Sequence, residues 1–342
     1  MQQCQRGVSM EREIASVPDF SYRDVEEAWE RIHPHLTPTP LVQSYYLGGP
    51  LSGFDDGREY YFKLESMQRA KSFKIRGALN KILSLDADEL ACGVGTVSSG
   101  NHGSSVAYAG SMFGVRPVII VPESCPQSKR DKIRYFGGTC LPMGADYDEA
   151  HALGMAYLAK RGLTYIDPYY DDPKVYGGQG TIAIELLEQL PNLDCIVVPV
   201  GGGGLSTGIA TWAKHVNPSI RIVGVQTEAC PAMYASWRDG KFYDEYPIGP
   251  TRCDATVGGV GALAYMRLRD VMDELIVVSE DEAASACAWF ARKEKLVAEV
   301  ASCMTVAAVR AHREQVGGTR VALIISGGNI DGFMLDDVLR EF

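Results

Sequence analysis

Asp194-Cys195-Ile196-Val197-Val198-Pro199-Val200 runs straight into Gly201-Gly202-Gly203-Gly204. The first part is almost wholly apolar. It reads as a strand buried on both faces, which is the signature of a parallel sheet covered by helices on each side. The glycines then open a helix that continues to His215. Without side chains, they let an anion approach several backbone N–H groups at the positive end of that helix. A flexible turn needs only one or two glycines, so four favour a phosphate cradle. Two familiar phosphate motifs fit poorly. A P-loop needs a lysine after its last glycine, but Gly208 is followed by Ile209-Ala210. A dinucleotide fingerprint breaks at Thr207, and the next strand ends in Gln226 rather than an acid.

Working outward, strands and helices alternate. Gly93-Val94-Gly95-Thr96-Val97, Val115–Val121, Thr139-Cys140-Leu141 and Leu163–Ile166 read as strands. Helices over Asn101–Phe113, Pro126–Phe136 and Tyr147–Arg161 separate them. Such alternation predicts right-handed βαβ units. Tyr169–Pro173 and Gly177-Gly178-Gln179-Gly180 break the rhythm and read as a crossing to a larger unit, with the next helix starting at Thr181. Ser21 reads as the N-cap of a first helix, and Ser279-Glu280-Asp281-Glu282 as a capping box before a later one. The expected fold class is α/β, with two domains, each a mainly parallel sheet flanked by helices. The expected division is a flexible tail at 1–17, a large domain from 18–92 plus 169–342, and a small domain at 93–168.

Composition narrows the function. The chain has 342 residues, enough for a sizeable core, and a net charge of −10 without a basic stripe, which disfavours nucleic acid. Lys129-Arg130-Asp131-Lys132 reads as a solvated helix face. The nine cysteines include no Cys-x-x-Cys pair, which fits free thiols in a reducing compartment. No apolar run approaches membrane-spanning length, and the N-terminus has no signal-peptide core. A soluble cytoplasmic protein is expected.

Three more loops follow strands or precede helices. Lys71-Ser72-Phe73-Lys74-Ile75-Arg76-Gly77-Ala78 places Lys74 in a short loop between the Tyr60–Glu65 strand and a helix from Ile75. Ser98-Ser99-Gly100-Asn101-His102-Gly103 offers hydroxyls, an amide and backbone donors at a helix start. Ser326-Gly327-Gly328-Asn329 follows the last strand. Ligands of parallel α/β sheets collect at the carboxyl ends of strands.

Together, Ser72–Ala78, Ser98–His102, Gly201–Gly204 and Ser326–Asn329 resemble the threonine dehydratase/serine racemase family, pyridoxal-phosphate enzymes of the tryptophan-synthase-β-like fold. Gly224–Glu228 with Pro231-Ala232-Met233 is similar to the single-domain catabolic threonine dehydratases. The resemblance implies pyridoxal 5'-phosphate as cofactor, with Lys74 as its Schiff-base lysine and mover of the Cα proton. It implies Phe73 against the ring, Asn101 on the phenolic oxygen, Gly201, Gly202, Gly203 and Gly204 around the phosphate, and Ser326 beside the pyridine nitrogen. Ser98, with the backbone around Asn101 and His102, would hold the substrate carboxylate. Ser99 falls where serine racemases keep a second acid/base. A hydroxyl at Ser326 would leave the pyridine nitrogen largely unprotonated, which favours β-elimination over transamination. The reaction implied is dehydration and deamination of a β-hydroxy amino acid such as threonine or serine, to a 2-oxo acid and ammonia. An amino-acid racemase is the alternative. A nicotinamide oxidoreductase and a non-catalytic ligand-binding module are more remote. A homodimer is implied, and no metal, since the racemase metal carboxylates fall on Gln226 and Ala232. The chain departs from the family at Lys71, commonly Gly, at Gly103-Ser104, over Thr251–Tyr265, and at Val300 after Glu299.

Overall fold

The computed structural model describes residues 17–49, 56–168 and 170–342. The expected tail, apart from Val17, lies outside the described residues, as do residues 50–55 and Tyr169. The described strands are β1 (Leu41–Gln43), β2 (Glu59–Leu64), β3 (Val94–Val97), β4 (Val118–Val121), β5 (Thr139–Pro142), β6 (Thr164–Tyr165), β7 (Cys195–Pro199), β8 (Arg221–Thr227), β9 (Glu274–Val278) and β10 (Arg320–Ile325). They form a six-stranded sheet in the order β1-β2-β10-β7-β8-β9 and a four-stranded sheet in the order β5-β4-β3-β6. Only β1, on an edge, runs antiparallel to its neighbour. The four-stranded sheet is wholly parallel.

The apolar reading of β7 holds, because all five of its residues are buried. Their alternation divides the core between two faces. Cys195 and Val197 join Leu323 and Ile325 of β10 under the helices Glu280–Trp289 and Val300–Ala311. Ile196 and Val198 join Ala322 and Ile324 under the helices Pro173–Gln189 and Gly204–Val216. The capping predictions also hold. Ser21 caps the helix Tyr22–Ile32, and Ser279 forms a capping box with Glu282.

The expected break in the chain fails. Gly177–Gly180 does not break the chain but lies inside the long helix Pro173–Gln189. The glycines are there for close packing against three other helices. A Cβ on Gly177 would stand 2.5 Å from the carbonyl oxygen of Asp24, on Gly178 2.5 Å from that of Arg76, and on Gly180 2.8 Å from that of Gly208. The helix is a hub, and its glycines mark contacts that admit no side chain.

Beside the hub lies a buried ionic cluster. The Lys63 amine bonds Glu185 at 2.7 Å, Gln189 at 2.9 Å and the Thr39 carbonyl at 2.9 Å. Arg76 makes a two-pronged pair with Glu65, both contacts at 2.8 Å, and reaches Glu185 at 2.7 Å. All four charged side chains are buried. Such groups are tolerated inside because each is paired and hydrogen-bonded. Two charges of each sign balance, and Arg76 thereby fixes the helix Lys74–Leu83 to the end of β2.

Candidate active site

Strands β2, β10 and β7 are neighbours and parallel. The segments beyond their carboxyl ends therefore open side by side, which brings the Lys74 segment, Ser326–Asn329 and Gly201–Gly204 to one edge. Lys74 is not in a short loop. Two short 3₁₀ turns, Glu65–Met67 and Arg69–Lys71, intervene after β2, and Lys74 is the first residue of the helix Lys74–Leu83. Its backbone is tied to the β10 loop by a bridge between Ser72 and Gly327 and by the Phe73 N–H donating to the Ser326 carbonyl at 3.0 Å.

The Lys74 amine lies 5.3 Å from the centre of the Phe73 ring and donates to the Pro168 carbonyl at 2.6 Å. Its side chain keeps some exposure, but the amine end is enclosed. Burial pushes the amine down to about 8, against the opposing pull of the Asp167 carboxylate. At pH 7 a group at that value is neutral in about one molecule in ten, against well under one in a thousand for an ordinary lysine.

Ser98 and Ser99 are half-buried beyond the end of β3. The Ser98 hydroxyl accepts the Gly100 N–H at 3.3 Å. The loop folds back so tightly that a Cβ on Gly103 would stand 2.1 Å from the Ser98 carbonyl oxygen. His102 is buried, with Nε2 2.9 Å from the Ile166 carbonyl. A carbonyl only accepts, so Nε2 carries the proton. Nδ1 is then a bare acceptor, buried and without a hydrogen-bond partner. Burial, then the nearby Lys74 charge, pushes the imidazole down to about 3, so it is neutral at physiological pH.

Gly201–Gly204 leads from β7 into the helix Gly204–Val216. Gly203 has φ +101°, and a Cβ there would meet the Ala264 Cβ at 2.3 Å. A Cβ on Gly201 would come within 3.1 Å of Thr256 Cα, and one on Gly204 within 2.9 Å of the Tyr176 ring. The Gly202 carbonyl accepts the Gly261 N–H at 3.0 Å. The first N–H groups of the helix have no acceptor within it. Ser326 is buried, its hydroxyl 3.0 Å from that of Ser302, which also accepts the Gly327 N–H at 2.8 Å.

Asn101 meets Glu299, to which the sequence reading gave no role, and Asn329 of the last loop. Its Nδ2 donates to both oxygens of Glu299, at 2.9 and 3.1 Å, and its Oδ1 accepts from Asn329 Nδ2 at 2.6 Å. Glu299 also accepts the Asn329 N–H at 2.8 Å. It is only 7 % exposed, and burial lifts its carboxyl above the usual range against those donors. The available signal was an acid directly before a small-residue helix, Val300–Ala311. Lys132 corrects another reading. It is not on a solvated face but half-buried, and its ammonium donates to Asn329 Oδ1.

Comparison with known proteins shows the family. Residues 32–327 match the family described as pyridoxal-phosphate dependent enzymes. The chain is 38% identical over 323 residues to the L-threonine ammonia-lyase of Thermotoga maritima, covering 94% of this chain and 79% of that one. It is 34% identical over 321 residues to the serine racemase of Dictyostelium discoideum, covering 93% and 97%. Among solved structures, the processed form of threonine deaminase isoform 2 from Solanum lycopersicum superimposes with a TM-score of 0.86 at 31% identity, covering 93% of this chain and 92% of that one.

Proposed function

This chain belongs to the pyridoxal-phosphate-dependent enzymes, and from that premise we propose that it dehydrates and deaminates a β-hydroxy amino acid, threonine or serine, to a 2-oxo acid and ammonia. Family membership sets aside the nicotinamide and non-catalytic alternatives. The observation that carries the reading is the enclosed Lys74 amine, held down to about 8, at an edge shared with a glycine helix start and the Ser326 hydroxyl.

The residues fit the cofactor. The side-chain-free start of the helix Gly204–Val216 suits a phosphate, the buried Ser326 hydroxyl a ring nitrogen, and the Asn101 amide a phenolic oxygen. A buried acceptor without a partner, His102 Nδ1, also calls for a polar neighbour. When bound, the cofactor draws electrons from the substrate's Cα and makes the proton there removable. In this reading Lys74 Nζ holds the cofactor and, once displaced by the substrate amine, takes the Cα proton as a base. Phe73 supports the ring. The Gly201, Gly202, Gly203 and Gly204 segment holds the phosphate. Ser98, with backbone donors around Asn101 and His102, holds the substrate carboxylate.

A second reading, racemisation, is supported by Ser99. It stands half-buried in the same loop as Asn101, and a serine racemase is among the relatives. Holoprotein absorbance and product assays separate the readings. Pyridoxal phosphate should give a visible band that borohydride removes and Lys74→Ala lacks. Absence of that band refutes the assignment of Lys74. Oxo-acid release from a panel of hydroxy amino acids should exceed inversion of their stereochemistry, and the reverse outcome establishes the racemase.

The reading includes a homodimer in the cytoplasm and the two-domain division. The homodimer rests on the family resemblance. Among the described residues no helix is long and apolar enough to cross a membrane, and the cysteines are free, which supports a reducing compartment. The continuous stretch that supplies β3 to β6 supports a small domain at 93–168.

A further inference from the structure

The amide of Asn101 could in principle be turned either way. Its neighbour Glu299 does not decide the matter, because a buried acid that gains a proton can donate as well as accept. Asn329 does decide it. Asn329 Nδ2 donates to Asn101 Oδ1 at 2.6 Å and to the Ala70 carbonyl at 2.9 Å. Its other end, Oδ1, accepts from Lys132, an ammonium that cannot accept in return. The direction of the chain is therefore fixed from Lys132 through Asn329 and Asn101 to Glu299.

The backbone is bent to serve this arrangement. Ala70 and Lys71 are consecutive non-glycine residues with φ +57° and +60°. Each such residue is strained, because its Cβ crowds the following carbonyl oxygen. The bend aims the Ala70 carbonyl at Asn329 Nδ2 and the Lys71 carbonyl at the Gly328 N–H, at 2.9 Å each. Lys132 belongs to the helix Gln127–Tyr135, which follows β4 of the four-stranded sheet, whereas Asn329 follows β10 of the six-stranded sheet. The contact spans the two sheets beside the site.

We propose that Lys132 is a positioning residue which, together with the Ala70 carbonyl and through Asn329, holds the Asn101 amide so that an N–H rather than an oxygen meets the phenolic oxygen of the cofactor. Resting on the role assigned to Asn101 above, it adds a residue from a different element to the control of the cofactor ring. Lys132 itself touches Asn329, not the reacting atoms.

The test compares wild type, Lys132→Met, Lys132→Arg, Asn329→Ala and the Met/Ala double variant, each titrated with pyridoxal phosphate. Lys132→Met should shift the visible band of the bound cofactor and weaken its binding by about tenfold, the scale of one charge-assisted hydrogen bond. Lys132→Arg should restore most of both. The double variant should be no weaker than Asn329→Ala alone. An unshifted band with unchanged affinity in Lys132→Met overturns the proposal, and so does a double variant whose effect is the product of the two single effects. A wild-type band that Lys74→Ala abolishes keeps the assignment of Lys74 standing whichever way Lys132 behaves. Thermal melting of the apoproteins identifies any variant weakened only by misfolding.

Discussion

Lys74 carries a cost that its proposed role as the cofactor-holding base explains. With its folded-state value near 8, below the 10.5 of an ordinary lysine, both folded and unfolded chains are protonated below pH 8 and the folded one bears an enclosed charge. Between those values the unfolded chain holds a proton that the folded one has shed, so stability rises with pH. Apoprotein carrying Lys74→Met should therefore be more stable than wild-type apoprotein at pH 7, by on the order of 2 kcal/mol once partial exposure is allowed for. The gap should close as pH rises above 8. Urea midpoints of the two apoproteins across pH 7 to about 10.5 measure it, and a gap that widens with pH contradicts the enclosure of the amine. Lys74 was legible in the sequence because three companion loops accompany it. Lys132 was not, because a lysine among charged neighbours on a short helix looks solvated until the facing loop is placed. The left-handed Ala70–Lys71 turn was signalled only by the Gly that the family commonly keeps at Lys71, since neither residue present favours that conformation.

At the level of elements, the helix Pro173–Gln189 shows how glycine can mislead. In an exposed helix, replacing glycine by alanine stabilises by about 1 kcal/mol. Here a Cβ on Gly178 would also stand 2.6 Å from Gly77 Cα, on the helix that begins at Lys74. Backbone cannot yield as a flexible side chain does, so Gly178→Ala should destabilise by about 2 kcal/mol or more. Calorimetry should show a lower melting temperature, and a raised one would mean that the helices are further apart than described. The sequence displayed Gly177–Gly180 plainly, but its local meaning, a break, is the opposite of its tertiary meaning, an intimate crossing. Strands β7 and β10 were readable because apolar runs flanked by loops have few other interpretations.

For the whole molecule, the proposed site draws on both sheets. Asn101 and Lys132 come with the four-stranded sheet, and Lys74, Glu299 and Ser326 with the six-stranded one. Cofactor at a hundredfold excess over its dissociation constant should stabilise the fold by about 2.7 kcal/mol, and hydrogen exchange should slow in β3 as well as in β2 and β10. Unchanged exchange over Val94–Val97 would mean that the Asn101 loop does not take part. Order within the large sheet was beyond sequence reading, since nothing local says that β10 inserts between β2 and β7. That insertion gives the molecule a sense of time. On the ribosome, β2 emerges early and waits, with one flank open, until Arg320–Ile325 is made and slides beside Glu59–Leu64. The stretch that forms the four-stranded sheet can close on itself long before. Between the making of β2 and that of β10 the large sheet is thus half-assembled, and the proposed cofactor site lacks its Ser326 segment.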